Sequence, residues 1–577
     1  MLTTRCHRVT SSVGSRQGVA GRAARRVVPN PSLGETTSPN LARGRGPRSR
    51  AGGSMHDLPE LMALLAGALA VTALARRLGF SAPLALVVVG LAMSYLPGLP
   101  DYQLDPEIVL VLIIAPLLYS AALRSSSIGI KANLRPIGLL AFGLVLFSTL
   151  AAGLVAWRLV PGMSLGVALV LGAVVAPPDA VAAIAIGRRL GLPRRIMTVL
   201  GGESLVNDAT ALTAYRVAIA AVIGSGLSLL GGVGMFLLAA AGGLVVGYVV
   251  GWLVHQVRAR LDDGNLESAV GLLVPFATYL LAEEIHASGV LAVVVAGLYL
   301  GHRAPASDAA TRLQDRAVWD AADTLLEAMV FALIGLQLRT VVEGVSADLL
   351  PLTAAGLAVT AAVVAARALW VFSTLYAPSW LSGKRDAPPW RHAVVVSWSG
   401  MRGVVSLAAA SAVPVATLSG APFPDRAEVM FLAFFVTLAT LLLHGSTLPW
   451  LIRLLGVRGQ ESYTDALAEA EAQHNAARAA RDRLDDLTRE SEPPGMVADR
   501  LRQAAQHRSN QAWERLGRSS DEVGESPSEA YRRLRGEMLA AERDVFVRFR
   551  DEHRIDDEVL RRVLHELDLE ELMLRRE

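Results

Sequence analysis

The sequence predicts an all-α polytopic membrane protein with about thirteen transmembrane helices, two inverted six-helix repeats with broken crossing helices, and a cytoplasmic helical tail. Three observations predict this class. The 577 residues are 52% hydrophobic and only 19% charged, whereas soluble domains carry about 25% charged residues. The charges are segregated along the chain. Two apolar stretches, at corresponding places in two halves, are interrupted by Pro or Gly beside an ionisable residue. This composition excludes an ordinary soluble enzyme, a disordered chain and a nucleic-acid binder of uniformly basic surface. A single cysteine, Cys6, excludes an intramolecular disulfide.

Three segments differ in charge. Residues 1–54 hold ten Arg and one acid, Glu35, in a composition that reads as a disordered basic extension. Residues 55–458 hold 25 Lys or Arg and 23 Asp or Glu, the sparse charge of a membrane domain. Residues 459–577 hold 20 Arg and 28 acids, the pattern of solvated helices.

A spanning helix needs roughly 20 mostly apolar residues. The candidate segments, in order, are 57–75, 82–97, 106–123, 136–158, 165–187, 196–223, 227–257, 266–287, 289–301, 317–338, 349–376, 391–414 and 427–455. The second and ninth are short. With six helices in each half, the seventh is the linker.

Basic residues orient the spans. One alternating set of loops and span ends holds 19 Lys or Arg, from Arg76 and Arg77 to Arg453 and Arg458; the other holds Arg158, Arg339 and Arg426. Basic residues gather on the cytoplasmic side, so the tail is expected in the cytoplasm. Residues 1–54 would then have to cross the membrane carrying ten arginines, yet they contain no apolar run of a secretory signal. Two readings stand: a misplaced start, with Met55 the true first residue, or a real disordered N-terminal arm.

A charge at the bilayer centre costs roughly 2.5–3.5 kcal/mol on insertion scales, so buried charges need a function or a partner. Five lie at mid-membrane: Asp179, Glu203, Asp208, Arg367 and Arg402. Asp179 follows Pro177-Pro178, and two adjacent prolines break a helix. Irregular backbone at membrane depth persists only where it is packed in protein or lines a cavity. The new helix start suits an aspartate cap. In the next span Glu203, Ser204, Asn207 and Asp208 are spaced to face one sector of an otherwise apolar helix. A carboxylate there holds either a proton or a hard cation, the simplest basis of exchange. Gly400-Met401-Arg402-Gly403 interrupts the twelfth span. Arg367 needs an anionic partner, and Glu203 and Asp208 are available.

Residues 171–216 and 391–408 resemble the monovalent cation:proton antiporters, the family of bacterial sodium/proton antiporters and animal sodium/proton exchangers. Gly202-Glu203-Ser204-Leu205 with Asn207-Asp208 carries the resemblance, and Gly400-Met401-Arg402-Gly403 supports it. It covers roughly 57–455. The resemblance implies a homodimer in the plasma membrane, exchanging Na⁺, or K⁺ or Li⁺, for H⁺ by alternating access. It implies Asp208 as the carboxylate that binds the transported cation or the proton, with Asn207 marking one-for-one exchange. It implies Ser204 and the backbone at Pro178-Asp179 as cation ligands, and Glu203–Arg367 as a structural charge pair. Asp179 and Arg402 would compensate the broken-helix dipoles. Two departures stand out: Pro178 replaces the usual Thr, and Ser120 follows Pro116-Leu117-Leu118-Tyr119 where some relatives carry an acid.

Asp320, Asp323 and Glu327, at i, i+3 and i+7, either line a cytoplasmic funnel or form a solvated helix face. The tail is expected to be helical over 464–490, 497–518 and 529–577. No zinc spacing, phosphate loop or nucleophilic triad is present, so no cofactor, enzyme activity or nucleic acid is expected. Competing readings are an organic-anion carrier binding through Arg367 and Arg402, and an ion-sensing membrane domain signalling through the tail.

Overall fold

The structure is a computed structural model that describes residues 57–96, 106–224, 229–261, 263–345, 347–382, 389–459, 461–490, 495–517 and 527–576. Residues 1–54, and Met55 with them, lie outside the described residues. Backbone contacts divide the chain into Met1–Leu58 and Pro59–Glu577, and the candidate site lies in the second unit.

Among the described residues every regular element is helical; the one strand-like feature is an isolated bridge between Ala416 and Pro422. A helix stands on each apolar segment. Among the described residues seven are long and apolar enough to cross a membrane: Leu134–Leu159, Arg194–Ile223, Gly231–Arg258, Gly264–Glu284, Ala309–Glu343, Leu349–Leu375 and Arg426–Leu455. Shorter apolar helices cover Ala82–Met93, Val109–Leu123, Leu165–Val175 and Gly289–Arg303.

Both interruptions are present. The fifth segment is split into Leu165–Val175 and Val181–Leu190, and the twelfth into Trp390–Trp398 and Val404–Ser411. Pro177 and Pro178 lack the N–H groups that would continue the first ladder. In the second, Gly400 and Gly403 flank the turn.

Three local features escape a hydropathy reading. The tenth helix starts at Ala309 rather than 317, because the Asp308 side chain caps it, accepting from Ala310 N at 3.0 Å. Its first turns are polar and carry no apolar signal. The third and fourth segments each contain a π-helical turn, Val109–Ile114 and Leu139–Leu144. The second turn widens the ladder, and Trp370 Nε1 donates to Leu139 O at 3.0 Å. The third feature is in the tail, where the stretch expected over 529–577 is two helices, Pro527–Asp551 and Asp557–Arg576. Left-handed His553 (φ 54°) turns the chain there, and Leu539, Leu567 and Leu574 form the buried seam between the two arms.

Helix packing positions the site. Leu165–Val175 packs on Val145–Leu159 and on Arg194–Ile223, while Ala82–Met93 packs on Ala309–Leu336. The largest apolar cluster joins Tyr119, Leu205, Phe331, Met401 and Leu441. A second lies behind Leu165–Val175, with Val359, Val363, Leu432 and Val436. The helix Leu229–Arg258 packs on Gly289–Arg303 and exposes Leu238, Val245 and Trp252 on its outer side.

Candidate functional site

The two interruptions meet. Asp179 N donates to Met401 O at 2.7 Å, joining one broken helix to the other through the backbone. Each break creates a C-terminal end with unpaired carbonyls and an N-terminal end with unpaired amides. Arg402 serves the C-terminal ends. Its Nε donates to Val175 O at 3.0 Å and its Nη1 donates to Gly400 O. Asp179 serves the N-terminal ends: its Oδ1 accepts from Val181 N at 2.8 Å, and its Oδ2 lies against Gly403, just before Val404. A cation between two carbonyl ends and an anion between two amide ends oppose the helix dipoles. Arg402 is 1% exposed and is seated on carbonyls; Thr440 Oγ1 accepts its backbone N–H at 3.2 Å.

Gly403 is required by space alone. A Cβ there would overlap the Asp179 carboxylate, although its backbone is extended and any residue could adopt it. Gly403→Ala is expected to push the two breaks apart, and overpacking of this kind costs roughly 1–3 kcal/mol. Transport per mole of folded protein should fall at least tenfold in reconstituted vesicles. Wild-type rate and yield would show that the crossing is looser than this.

The four polar residues of Arg194–Ile223 do not face one space. Ser204 and Asp208 line a cavity of about 610 Å³ together with Pro177, Asp179 and residues 403–406. Glu203 turns away from it and meets Arg367 in a bidentate pair, Nη1–Oε1 2.5 Å and Nη2–Oε2 2.9 Å. Both residues are 1% exposed. Arg367 Nε also donates to Val396 O at 3.1 Å, tying the pair to the first half of the second broken helix. Asn207 Nδ2 donates to Pro178 O at 2.7 Å, so Asn207 and Pro178 hold each other and neither is among the cavity-lining residues. The buried Asn207 Oδ1 has no hydrogen-bond partner. Ser204 Oγ accepts a long hydrogen bond, 3.4 Å, from Ala180 N. The side chains expected at the site are thus brought together, but in two layers.

Asp208 is 6% exposed and opens into the cavity with no hydrogen bond or ion pair to any described residue. An ionised carboxylate so placed is costly unless a cation or a proton joins it. Among the described residues no group of three or more His, Cys, Asp or Glu is placed to hold a metal ion. Of the two readings of Asp320, Asp323 and Glu327, the lining of a cavity is the one the structure favours; their partners had no signal in the sequence. These three line the cavity's far wall opposite Arg76, Arg124 and Arg188, and Ser120 Oγ donates to Asp323 Oδ2 at 2.6 Å. Thus Ser120, which brings no carboxylate of its own, meets one supplied from 203 residues away.

A multi-pass helical protein whose buried carboxylate sits where two broken helices cross is a membrane carrier of small ions. The chain belongs to the sodium/hydrogen exchanger family, whose transmembrane model matches residues 61–454; this is a family of transporters, not of enzymes. It is 35% identical over 534 residues to a Mycobacterium tuberculosis protein named an uncharacterized Na⁺/H⁺ exchanger, covering 90% of this chain and 97% of that one. It is 34% identical over 384 residues to a sodium, potassium, lithium and rubidium/H⁺ antiporter of Bacillus pumilus, covering 64% of this chain and 57% of that one. The fold is similar to that of the sodium proton antiporter MjNhaP1 of Methanocaldococcus jannaschii, with a TM-score of 0.58 and 21% identity, covering 70% of this chain and 99% of that one.

Proposed function

We propose that residues 55–458 form an antiport domain in the plasma membrane that exchanges Na⁺, K⁺ or Li⁺ for H⁺ by alternating access. The observation that carries this reading is Asp208, nearly buried and unpartnered at the crossing of the two broken helices. Cation and proton compete for its carboxylate, so loading one releases the other. Ser204 supplies a hydroxyl oxygen from the same cavity wall. Asn207 and Pro178 act one layer behind, holding the break in shape. With asparagine rather than a second carboxylate beside Asp208, one positive charge is exchanged for one, and transport is electroneutral. The printed name of the Bacillus relative supports a site that accepts several alkali cations. Selectivity among them depends on cavity size and ligand number.

The broken helices support two inverted six-helix repeats, with Leu229–Arg258 as the linker among thirteen spans. Arg76, Arg124 and Arg188 belong to the arginine-rich side, so the cavity opens to the cytoplasm and this is an inward-open state. The tail, 459–577, lies on that side, and the functional unit is a homodimer. An organic-anion carrier finds less support: Arg367 is paired with Glu203, Arg402 is seated on carbonyls, and neither lines the cavity.

Reconstitution tests the reading. Proteoliposomes given outward gradients of Na⁺, K⁺ or Li⁺ in turn, with a pH dye and a potential dye, are expected to show cation-driven pH change and no potential. A potential that scales with flux would overturn one-for-one exchange. pH change indifferent to all three cations would overturn antiport.

A further inference from the structure

The cavity that ends at Asp208 is lined near its mouth by a cation of the protein's own. Asp320, Asp323 and Glu327 lie on one face of Ala309–Leu336, spread over about 10 Å at 1.5 Å per residue. Side-chain exposure falls inward, from 54% at Asp320 to 17% at Asp323. Arg124, at the end of the helix Ala115–Leu123, reaches across the opening. Its Nη1 meets Asp320 Oδ1 at 2.6 Å, and its Nη2 pairs with Asp323 Oδ2 and donates to Ser120 Oγ at 2.5 Å. Ser120 Oγ in turn donates to Asp323 Oδ2. The other oxygen, Asp323 Oδ1, is buried with no hydrogen-bond partner.

Two features point to an occupant of this cavity other than Arg124. Asp208 opens into the same space, nearly buried and without a partner. The free Asp323 Oδ1 is an acceptor that the guanidinium leaves unused. A monovalent cation entering from the mouth meets a carboxylate pair already occupied by a guanidinium, and both are cations of unit charge. Arg124 is 37% exposed at its side chain, and it sits at a helix end rather than locked in the core, so displacing it requires little repacking.

We infer that Arg124 is a tethered competitor of the transported cation, holding Asp320 and Asp323 until an entering alkali ion displaces it from Asp323 on the way to Asp208. It sets apparent cation affinity without touching the exchanging carboxylate. This rests on the antiport reading and adds to it a residue that tunes cation preference. A compact alkali ion uses single oxygens, whereas a guanidinium prefers two carboxylate oxygens side by side. Asp323 therefore favours the transported ion wherever only one of its oxygens is reachable.

The sign of each charge change is opposite, which makes the inference testable in proteoliposomes by Na⁺ concentration series. Arg124→Gln keeps a donor for Ser120 and removes the positive charge; the KM for Na⁺ is expected to fall about 3- to 10-fold, with the maximum rate altered less than KM. Asp323→Asn leaves the guanidinium in place with one carboxylate fewer; KM is expected to rise by a similar factor. Arg124→Lys keeps the charge and is expected to keep KM above that of Arg124→Gln. Raising ionic strength with a large non-transported cation should shrink these differences, because screening acts within about 10 Å at 0.1 M salt.

A merely structural latch would lower yield and maximum rate in all three variants and leave KM in place, and that result overturns the inference. If Arg124→Gln does not fold, Asp323→Asn decides alone, and an unchanged or lowered KM overturns it. Wild-type vesicles that show no cation-dependent proton movement would instead remove the antiport reading itself.

Discussion

Asp208→Asn is expected to abolish cation-driven proton movement, a fall of at least about 100-fold, while the protein folds as well as before or better. The substitution changes one oxygen for an amide nitrogen and leaves the volume of the side chain unchanged. It removes a carboxylate that opens into the cavity at the crossing and has no partner among the described residues. A neutral amide releases no proton at physiological pH and offers an alkali ion only a dipole. Stability should not suffer, because an unpaired buried carboxylate is costly and its neutral isostere is not. Thermal unfolding in detergent, measured beside transport in vesicles, separates the two effects. Exchange retained near the wild-type rate would remove Asp208 from its role, and a collapse of yield would mean that its charge has a partner in the resting protein.

The second large effect is expected at the Glu203–Arg367 pair. Both ions are 1% exposed, and Arg367 also holds Val396 O. Removing one partner leaves the other as an uncompensated buried charge, which costs roughly 3–5 kcal/mol. Glu203→Gln and Arg367→Met are each expected to cut the yield of folded protein severely. The double replacement Glu203→Leu with Arg367→Met removes both charges and is expected to recover much of the loss, since apolar side chains of similar volume often replace a buried pair without penalty. The coupling from this cycle, read as thermal stability in detergent, measures the pair itself. Additive losses would show that each residue acts through other contacts. A normal yield of Glu203→Gln with altered cation affinity would place Glu203 in the ion path.

Much of the fold was legible along the chain because its determinants are local. Hydropathy marks each apolar helix to within a few residues, and Pro177-Pro178 dictates a break wherever that helix packs. The tenth helix was the exception: its first turns are polar and an Asp308 cap, not apolarity, starts them. The split of the tail at 552–556 was hidden for a related reason. Its residues are as helix-compatible as their neighbours, and the turn exists because Leu539, Leu567 and Leu574 gain burial when the arms fold together.

At the site, residue types and spacing were enough to single out Asp208, Glu203 and Asp179, since ionisable groups in apolar helices are rare and conspicuous. Helical periodicity alone put Glu203, Ser204, Asn207 and Asp208 in one sector. Packing divided them, because two neighbouring faces of the helix meet different elements: Arg367 on one side, the cavity on the other. No spacing rule could have supplied Asp323 to Ser120 or seated Arg402 on Val175 O.

Composition and order along the chain therefore sufficed for a helical membrane protein, for the two interruptions and for the rare carboxylates, all properties of a residue and its near neighbours. Partner choice belonged to the three-dimensional arrangement. In an apolar interior each charge must find a counter-charge or a row of carbonyls within hydrogen-bond reach. Which one it finds depends on helices 164 residues apart for Glu203 and Arg367 and 227 apart for Arg402 and Val175. Only once those helices pack is Asp208 left as the carboxylate at the crossing without a partner among the described residues.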